Sequence, residues 1–348
     1  MLRKSIILLT AVFLVLDASV SVRASVLEMD SLAARGRFPA FCIRAYRAVD
    51  RFLNDVDTSY VGPTGYDMNV KLRTKSWSDM TGFYFDGNRR IQLRSPFTNL
   101  LGVDVQWLGL AVGYDINVNR LFGGDDRSNS RFDLGLTTSR ISARFYYYRN
   151  NDGMDITSWG DNRKVKIGFD GVDMLTWGID AVYVFDHRRY SMAASSSFGR
   201  IQRRSKGSFL AGLTYQWQEL DVDFGKMPGY IGEWLPDQWR GRRYIADGYN
   251  VGIAGGYGYN WVPRRNITVG VQGLVIPSLN YGYLNSDSKG VSFRMNYRFA
   301  LSAVWNCDRW FVGGGFKMDA GFVYSHSSTL TNTMMTFEAK AGWRFSLW

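Results

Sequence analysis

The chain holds only two histidines, His187 and His326, in 348 residues, which leaves little material for a histidine metal centre or for histidine acid–base chemistry. His187 lies in the short DHRR stretch and reads as a solvated turn residue. The two cysteines, Cys42 and Cys307, allow one bridge at most, and Cys42 lacks the small residues that precede a lipidation site. No apolar run reaches the ~20 residues of a spanning helix; the longest, Ile6 to Leu16, ends at Asp17. NNDGMD at 150–155 lacks the spaced ligands and closing Glu of a calcium loop. Gly252, Gly256, Gly258, Gly313 and Gly315 sit inside alternating stretches, where no phosphate loop forms and where they relieve crowding instead. No metal and no cofactor is expected.

A leader is present. Residues 1–24 divide into a basic start (Arg3, Lys4), the apolar run and a small-residue exit ending at Ala24, the pattern of a secretory signal cut before Ser25. Removing its three basic and one acidic residues from totals of 42 and 31 leaves a net charge near +9. A positive surface suits phosphate-bearing glycolipid or small anionic solutes. Nucleic acid is not an expected partner of an exported chain.

Period-2 patterning dominates the remainder. In GVSFRMNYRFALSAVWN (290–306) every odd position from Val291 to Trp305 is apolar, with Arg294, Asn296 and Arg298 between them. A strand explains that period and a helix does not. The alternation recurs in Leu108 to Val118, Phe132 to Thr138, Ile141 to Tyr148, Leu175 to Phe185, Tyr190 to Phe198, Phe209 to Trp217, Tyr249 to Tyr259, Ile267 to Val275, Trp310 to Tyr324 and Met335 to Leu347. One face carries tryptophans near strand ends (Trp107, Trp217, Trp261, Trp305, Trp310, Trp343) and the other carries charges of both signs, among them Lys71, Arg73, Arg144 and Asp180. A soluble sandwich does not bury charge at that density. A transmembrane β-barrel with an interfacial aromatic girdle does place charge in its lumen.

The pattern predicts an all-β, antiparallel barrel over 67–348 with about 14 strands if Leu220 to Phe224 is a short strand of its own, or 12 if a neighbouring pair is miscounted. Short links at 138–140, 186–189, 260–266 and 306–309 are expected on the periplasmic side with both termini. Longer links at 119–130, 149–172, 225–247, 277–290 and 325–332 are expected outside. Residues 25–66 stand apart: Phe38, Phe41, Ala45, Val49, Phe52 and Val56 share a helical face, read as a periplasmic helix packed at the barrel base ahead of a lumen plug. Phe337, Ala339, Ala341, Trp343, Phe345 and Leu347 share one face of the last segment, resembling the signal read by outer-membrane assembly machinery, with Trp348 off that face.

Four pieces carry a family resemblance: DTSYVGP (57–63), NLLGVDVQWLGLAVGY (99–114), RRYSMAASSSFGRIQRRSKGSFLAG (188–212) and GGYGYNW (255–261). Together they resemble the Bacteroidota family of predicted outer-membrane β-barrel proteins catalogued as a domain of unknown function, from about residue 50 onward. The most specific piece is Gln202 to Leu210, with Lys206 where a small residue is usual. The resemblance implies a fold and an outer-membrane location in a Gram-negative bacterium, and brings no catalytic residues.

Candidate chemistry falls into four groups. His326 and Ser328 form a His-x-Ser pattern like that of outer-membrane phospholipases and lipid A deacylases, where His deprotonates Ser for attack on an ester; no acid or amide is assigned to orient the His, and a polar strand end explains it as well. Arg294, Arg298, Lys317, Asp319, Glu338, Lys340 and Arg344 fall on the inward face of the last three strands. They form either an anion-selecting ring or a salt-bridge ladder that blocks flow. Trp234, Trp239, Arg240, Arg242 and Arg243 could bind sugar or lipopolysaccharide phosphate, or anchor their own loop. Cys42 and Cys307, both expected in the oxidising periplasm, could form a disulfide between the helix and a turn. The reading is an integral outer-membrane barrel, a passive or gated pore or a structural surface protein in contact with lipid and lipopolysaccharide, placed ahead of a surface lipid hydrolase.

Overall fold

A computed structural model describes residues 37–346 apart from 67, 86–88, 108–109, 119–129, 151–152, 161–162, 238, 285–287 and 325–327. Residues 1–24, read above as a leader, therefore lie outside the described residues, as do His326 and the side chains of Ser328 and Cys42. The strands are β1 (Val61–Pro63), β2 (Met68–Phe85), β3 (Arg89–Arg94), β4 (Thr98–Trp107), β5 (Leu110–Asn117), β6 (Ser130–Thr137), β7 (Ile141–Asn150), β8 (Met154–Trp159), β9 (Arg163–Phe169), β10 (Val172–Val184), β11 (Arg200–Gln202), β12 (Lys206–Asp223), β13 (Arg243–Arg264), β14 (Ile267–Leu284), β15 (Ser288–Cys307), β16 (Trp310–Tyr324) and β17 (Ser328–Phe345).

Twelve of these form a closed ring in the order β2, β4, β5, β6, β7, β10, β12, β13, β14, β15, β16, β17, antiparallel throughout. β17 closes on β2 from Phe345↔Met68 to Ser328↔Phe85. Closure satisfies the edge backbone groups that an open sheet would leave bare. β3, β8 and β9 extend from β2 as a side flap, and β1 pairs with β11 in a separate small sheet.

The lower of the two predicted strand counts holds, for two reasons. Leu220 to Phe224 is no separate strand; apart from Phe224 it is the end of the 18-residue β12. Tyr190 to Phe198 is not a strand at all. It contains a one-turn helix, Met192–Ser195, capped by Ser191, and the link from β10 to β12 runs from Phe185 to Ser205 instead of the expected four residues. His187, expected to be solvated, is 8% exposed within that link, its ring Nδ1 3.3 Å from the Phe185 carbonyl. The links expected at 277–290 and 325–332 are also shorter, because β14 runs to Leu284 and β15 and β17 begin at Ser288 and Ser328.

The alternation read in residues 290–306 is borne out. Val291, Phe293, Tyr297, Phe299, Leu301 and Trp305 point outward and are exposed, while Arg294 and Val304 are buried. Exposed aromatics occupy both ends of the outer wall. Tyr249, Tyr281 and Tyr324 lie toward the loops, and Trp261, Trp305, Trp310 and Trp343 toward the short turns. Trp310 and Trp343 stack with centroids 5.3 Å apart. The helix expected near the N-terminus forms as Arg37–Asn54, in a unit that ends at Asp55; the barrel unit begins at Val56.

Candidate functional site

Inward-facing side chains divide the lumen into three layers. At the short-turn end lies a plug made by the link between β10 and β12. Its Tyr190 hydroxyl packs against Gly258 on β13, and Ser195 packs against Gly270 on β14, two positions where a Cβ would collide with the plug. On the opposite wall Lys71 donates to the Ser197 carbonyl (3.0 Å) and Arg344 to the Phe198 carbonyl (3.1 Å). The Phe198 ring meets Phe311 edge-on at 5.8 Å. The plug thus reaches from β13 and β14 across to β2, β16 and β17.

Gln202 fixes the plug's foot. Its amide donates to the Arg189 carbonyl (2.7 Å), the Arg204 carbonyl (2.9 Å) and the Tyr60 carbonyl (3.4 Å). Its oxygen accepts from the Ser191 N–H and from Asn260 Nδ2, each 3.1 Å away. Burial in the plug raises the Tyr190 phenol above its usual value, so it stays a neutral hydroxyl.

Above the plug runs a ladder of ion pairs. Arg298 bridges Asp319 (2.6 Å) and Asp180 (2.9 Å). Glu338 receives Lys340 (2.6 Å), Lys317 (3.7 Å) and Lys75 (4.0 Å). Lys75 continues to Asp115 (3.5 Å) and Asp133 (3.4 Å), Arg144 to Asp133 (3.1 Å), and Arg73 to Asp104 and Asp115, both at 2.7 Å. A cavity of about 240 Å³ lies among them, lined by seven lysines and arginines against five carboxylates.

At the loop end an aromatic core fills the lumen. Phe83, Tyr148, Met174, Leu220 and Tyr244 project from the walls, and Phe224, Ile231, Leu235 and Trp239 come from the chain between β12 and β13. Phe83 meets Phe224 edge-on at 5.4 Å, and Trp239 lies 5.0 Å from Tyr244.

The seven charged residues read from the last strands therefore separate. Arg298, Lys317, Asp319, Glu338 and Lys340 share the middle ladder. Arg294 sits higher, bonded to Gln218 (2.9 Å) and Asn296 (2.8 Å). Arg344 sits in the base, wholly buried, with Asn306 Oδ1 at 2.6 Å and Phe311 beneath its guanidinium at 4.4 Å. The residues missed were Lys75, Asp104, Asp115 and Asp133. Their signal was legible: KLRTK puts three cations on one face of β2, and VDV, YDI and FDL each set one acid between apolar neighbours.

In the tryptophan-rich loop Trp239 is an internal anchor, while Trp234 packs on Trp159 at 5.8 Å. Arg240 donates to the Glu233 carbonyl at 2.6 Å, Arg243 pairs with Asp221, and Arg242 is exposed. Cys307 is exposed at the end of β15. Among the described residues no group of three or more His, Cys, Asp or Glu side chains is placed to hold a metal.

Residues 55–345 match the family model described as "Domain of unknown function (DUF4421)". No curated protein matches the sequence. Among solved structures, the outer-membrane protease OmpT from Escherichia coli is similar over 80% of this chain and 97% of its own, with 8% identity and a TM-score of 0.33. The OmpT outer-membrane protein of Vibrio cholerae is similar over 80% and 97%, at 11% identity and a TM-score of 0.28. The toluene transporter TodX of Pseudomonas putida is similar over 83% and 94%, at 6% identity and a TM-score of 0.26.

Proposed function

Because the chain belongs to the family described as domain of unknown function DUF4421, its own geometry has to supply the function, and we propose an integral outer-membrane barrel that is shut at rest and conducts small anionic solutes only when its plug moves. The observation that carries this reading is the plug between Phe185 and Ser205, which crosses the lumen and is bonded to both sides of the ring. A permanently open pore has no use for it. The excess of cations around the cavity supports anions as the solute.

The outward apolar wall between two belts of aromatic residues supports the membrane location. The short turns lie at the same end of the ring as Met68 and Phe345, the first and last residues of the closing β2–β17 pair, which supports a periplasmic side for that end. The outward stripe Phe337, Ala339, Ala341, Trp343 on the closing strand supports recognition by barrel-assembly machinery.

Planar-bilayer recording of the refolded barrel tests the reading. The parent is expected to be electrically silent, and a barrel with the plug loosened by Arg344→Gln is expected to open in discrete, anion-preferring steps. Steady conductance in the parent would refute a shut lumen. Silence in both would leave a sealed structural barrel.

A further inference from the structure

Arg294 is a lumen cation whose charge the ladder leaves unmatched. It is 8% exposed, on the inward face of β15 and four residues from Arg298. Arg298 bridges Asp319 and Asp180, and Arg144 takes Asp133, whereas among the described residues no carboxylate lies within ion-pair distance of Arg294. Neutral amides meet it instead: Nε donates to Asn296 Oδ1 at 2.8 Å and Nη1 to Gln218 Oε1 at 2.9 Å. A guanidinium keeps its charge inside a protein, and a buried charge calls for a counter-charge as well as hydrogen bonds.

The two amides are held in that orientation. Asn296 Nδ2 donates to Ser278 Oγ (3.0 Å), whose hydroxyl donates in turn to the Ile276 carbonyl (3.0 Å), and Gln218 Nε2 lies 3.5 Å from the Met174 sulfur. Each amide nitrogen is engaged elsewhere, so each oxygen turns to Arg294. Nη2 makes no hydrogen bond to a described residue. Beside it on β16 stands Gly321, paired with Asn296, where a Cβ would come within 2.7 Å of Nη2. The glycine leaves the room that the guanidinium takes.

A second cavity, of about 70 Å³, borders these groups between the ladder and the aromatic core. Its charged lining is Arg144, Arg294 and Arg298 against Asp180 and Asp319. Arg298 already bridges both carboxylates, so the charge of Arg294 faces the space unmatched. A bound water requires about 10–15 Å³ of such space, and a site for a drug-sized ligand is ~300–1,000 Å³, so this chamber suits one small ion with a few waters. We propose that Arg294 anchors a resident monovalent anion of chloride size, held above the ladder as the counter-ion of the guanidinium and bound through Nη2. One unmatched charge sets its valence, and the chamber sets its size. The inference rests on the shut barrel proposed above, since in an open lumen bulk ions would screen Arg294 without a fixed site.

Bromide is the probe, because it has the charge and nearly the size of chloride and scatters X-rays anomalously. The full chain is refolded in an uncharged detergent with sodium bromide or sodium gluconate at equal ionic strength, folding is verified by heat-modifiable gel migration, and the folded-to-unfolded ratio is read from urea titrations. Rising bromide is expected to raise that ratio to at least about tenfold over gluconate in the parent. Arg294→Gln is expected to lose the difference, and Arg149→Gln, a half-exposed arginine paired with Asp173, to keep it. Crystals of the unaltered chain grown in bromide give a second readout that stands even if Arg294→Gln does not fold: an anomalous peak within hydrogen-bond reach of Nη2 is expected. The inference is overturned if the parent responds alike to bromide and gluconate, if Arg294→Gln keeps the bromide response, or if no anomalous peak lies in the chamber. A parent barrel that conducts steadily refutes the shut lumen separately and leaves the bromide comparison intact.

Discussion

Glu338 shows how the lumen is held at the scale of one residue. It is the carboxylate on which Lys75, Lys317 and Lys340 converge, from β2, β16 and its own strand β17. A buried charge left without its partner destabilises a fold by about 3–5 kcal/mol, so Glu338→Gln is expected to lower the urea midpoint of the refolded barrel by a loss in that range. An unchanged midpoint would mean that water in the cavity already screens the lysines. Asp57 behaves differently because it lies on the surface, outside the ring. Its Oδ1 accepts from the Ser59 hydroxyl (2.7 Å) and the Ser59 N–H (3.0 Å), and these bonds hold its carboxyl below the usual range, helped by Arg189 and Arg188. The depressed value means that its contribution is present above the unfolded pKa and fades as pH falls through the folded one. A carboxyl titration by NMR should show a midpoint below ~3.9 that returns toward it in Ser59→Ala.

At the scale of elements, the plug differs from the wall because side-chain and tertiary bonds, not a strand ladder, fix most of its length. Its helix is one turn long, too short to be stable by itself. Gln202, wholly buried, ties together the Ser191, Arg189, Arg204, Tyr60 and Asn260 groups. Each buried polar partner left unmet costs about 1–3 kcal/mol. Gln202→Leu is therefore expected to loosen the plug before it unfolds the ring, seen as new protease cleavage between 186 and 205 with unchanged heat-modifiable migration. Cleavage equal to that of the parent would place the anchor elsewhere, in Arg344 and Lys71.

For the whole molecule, the outer wall sets a thickness. Tyr249 and Trp261 mark the two aromatic belts on β13 and stand twelve residues apart. At ~3.3 Å per residue that is about 40 Å along the strand, or about 28 Å across the membrane at a tilt near 45°. Folding into uncharged bilayers should give its highest yield at a hydrocarbon thickness near ~28 Å and fall as the bilayer thickens. A yield indifferent to thickness would argue against the two belts as membrane interfaces.

The sequence by itself determined which side of the ring strands faces outward, because successive side chains of a strand point to opposite faces and the pattern needs no partner to be read. It also determined that charge of both signs lines the interior. Lys75, Asp104, Asp115 and Asp133 alternate with apolar neighbours as plainly as the residues of the last three strands, but their partners lie on other strands and no local pattern connects them. What the tertiary structure decided was which inward groups meet. Lys75 and Glu338 are brought together by the closure of β17 on β2, and no local period encodes that register. Tyr190 to Phe198 alternates like a strand, with Tyr190, Met192, Ala194 and Phe198 apolar at even positions. Yet Ser191 caps a helical turn there, and the space inside a twelve-stranded ring takes the segment as filling instead of as wall. Whether an alternating stretch becomes wall or plug depends on how many neighbours the closed ring leaves it, which is a property of the whole circle.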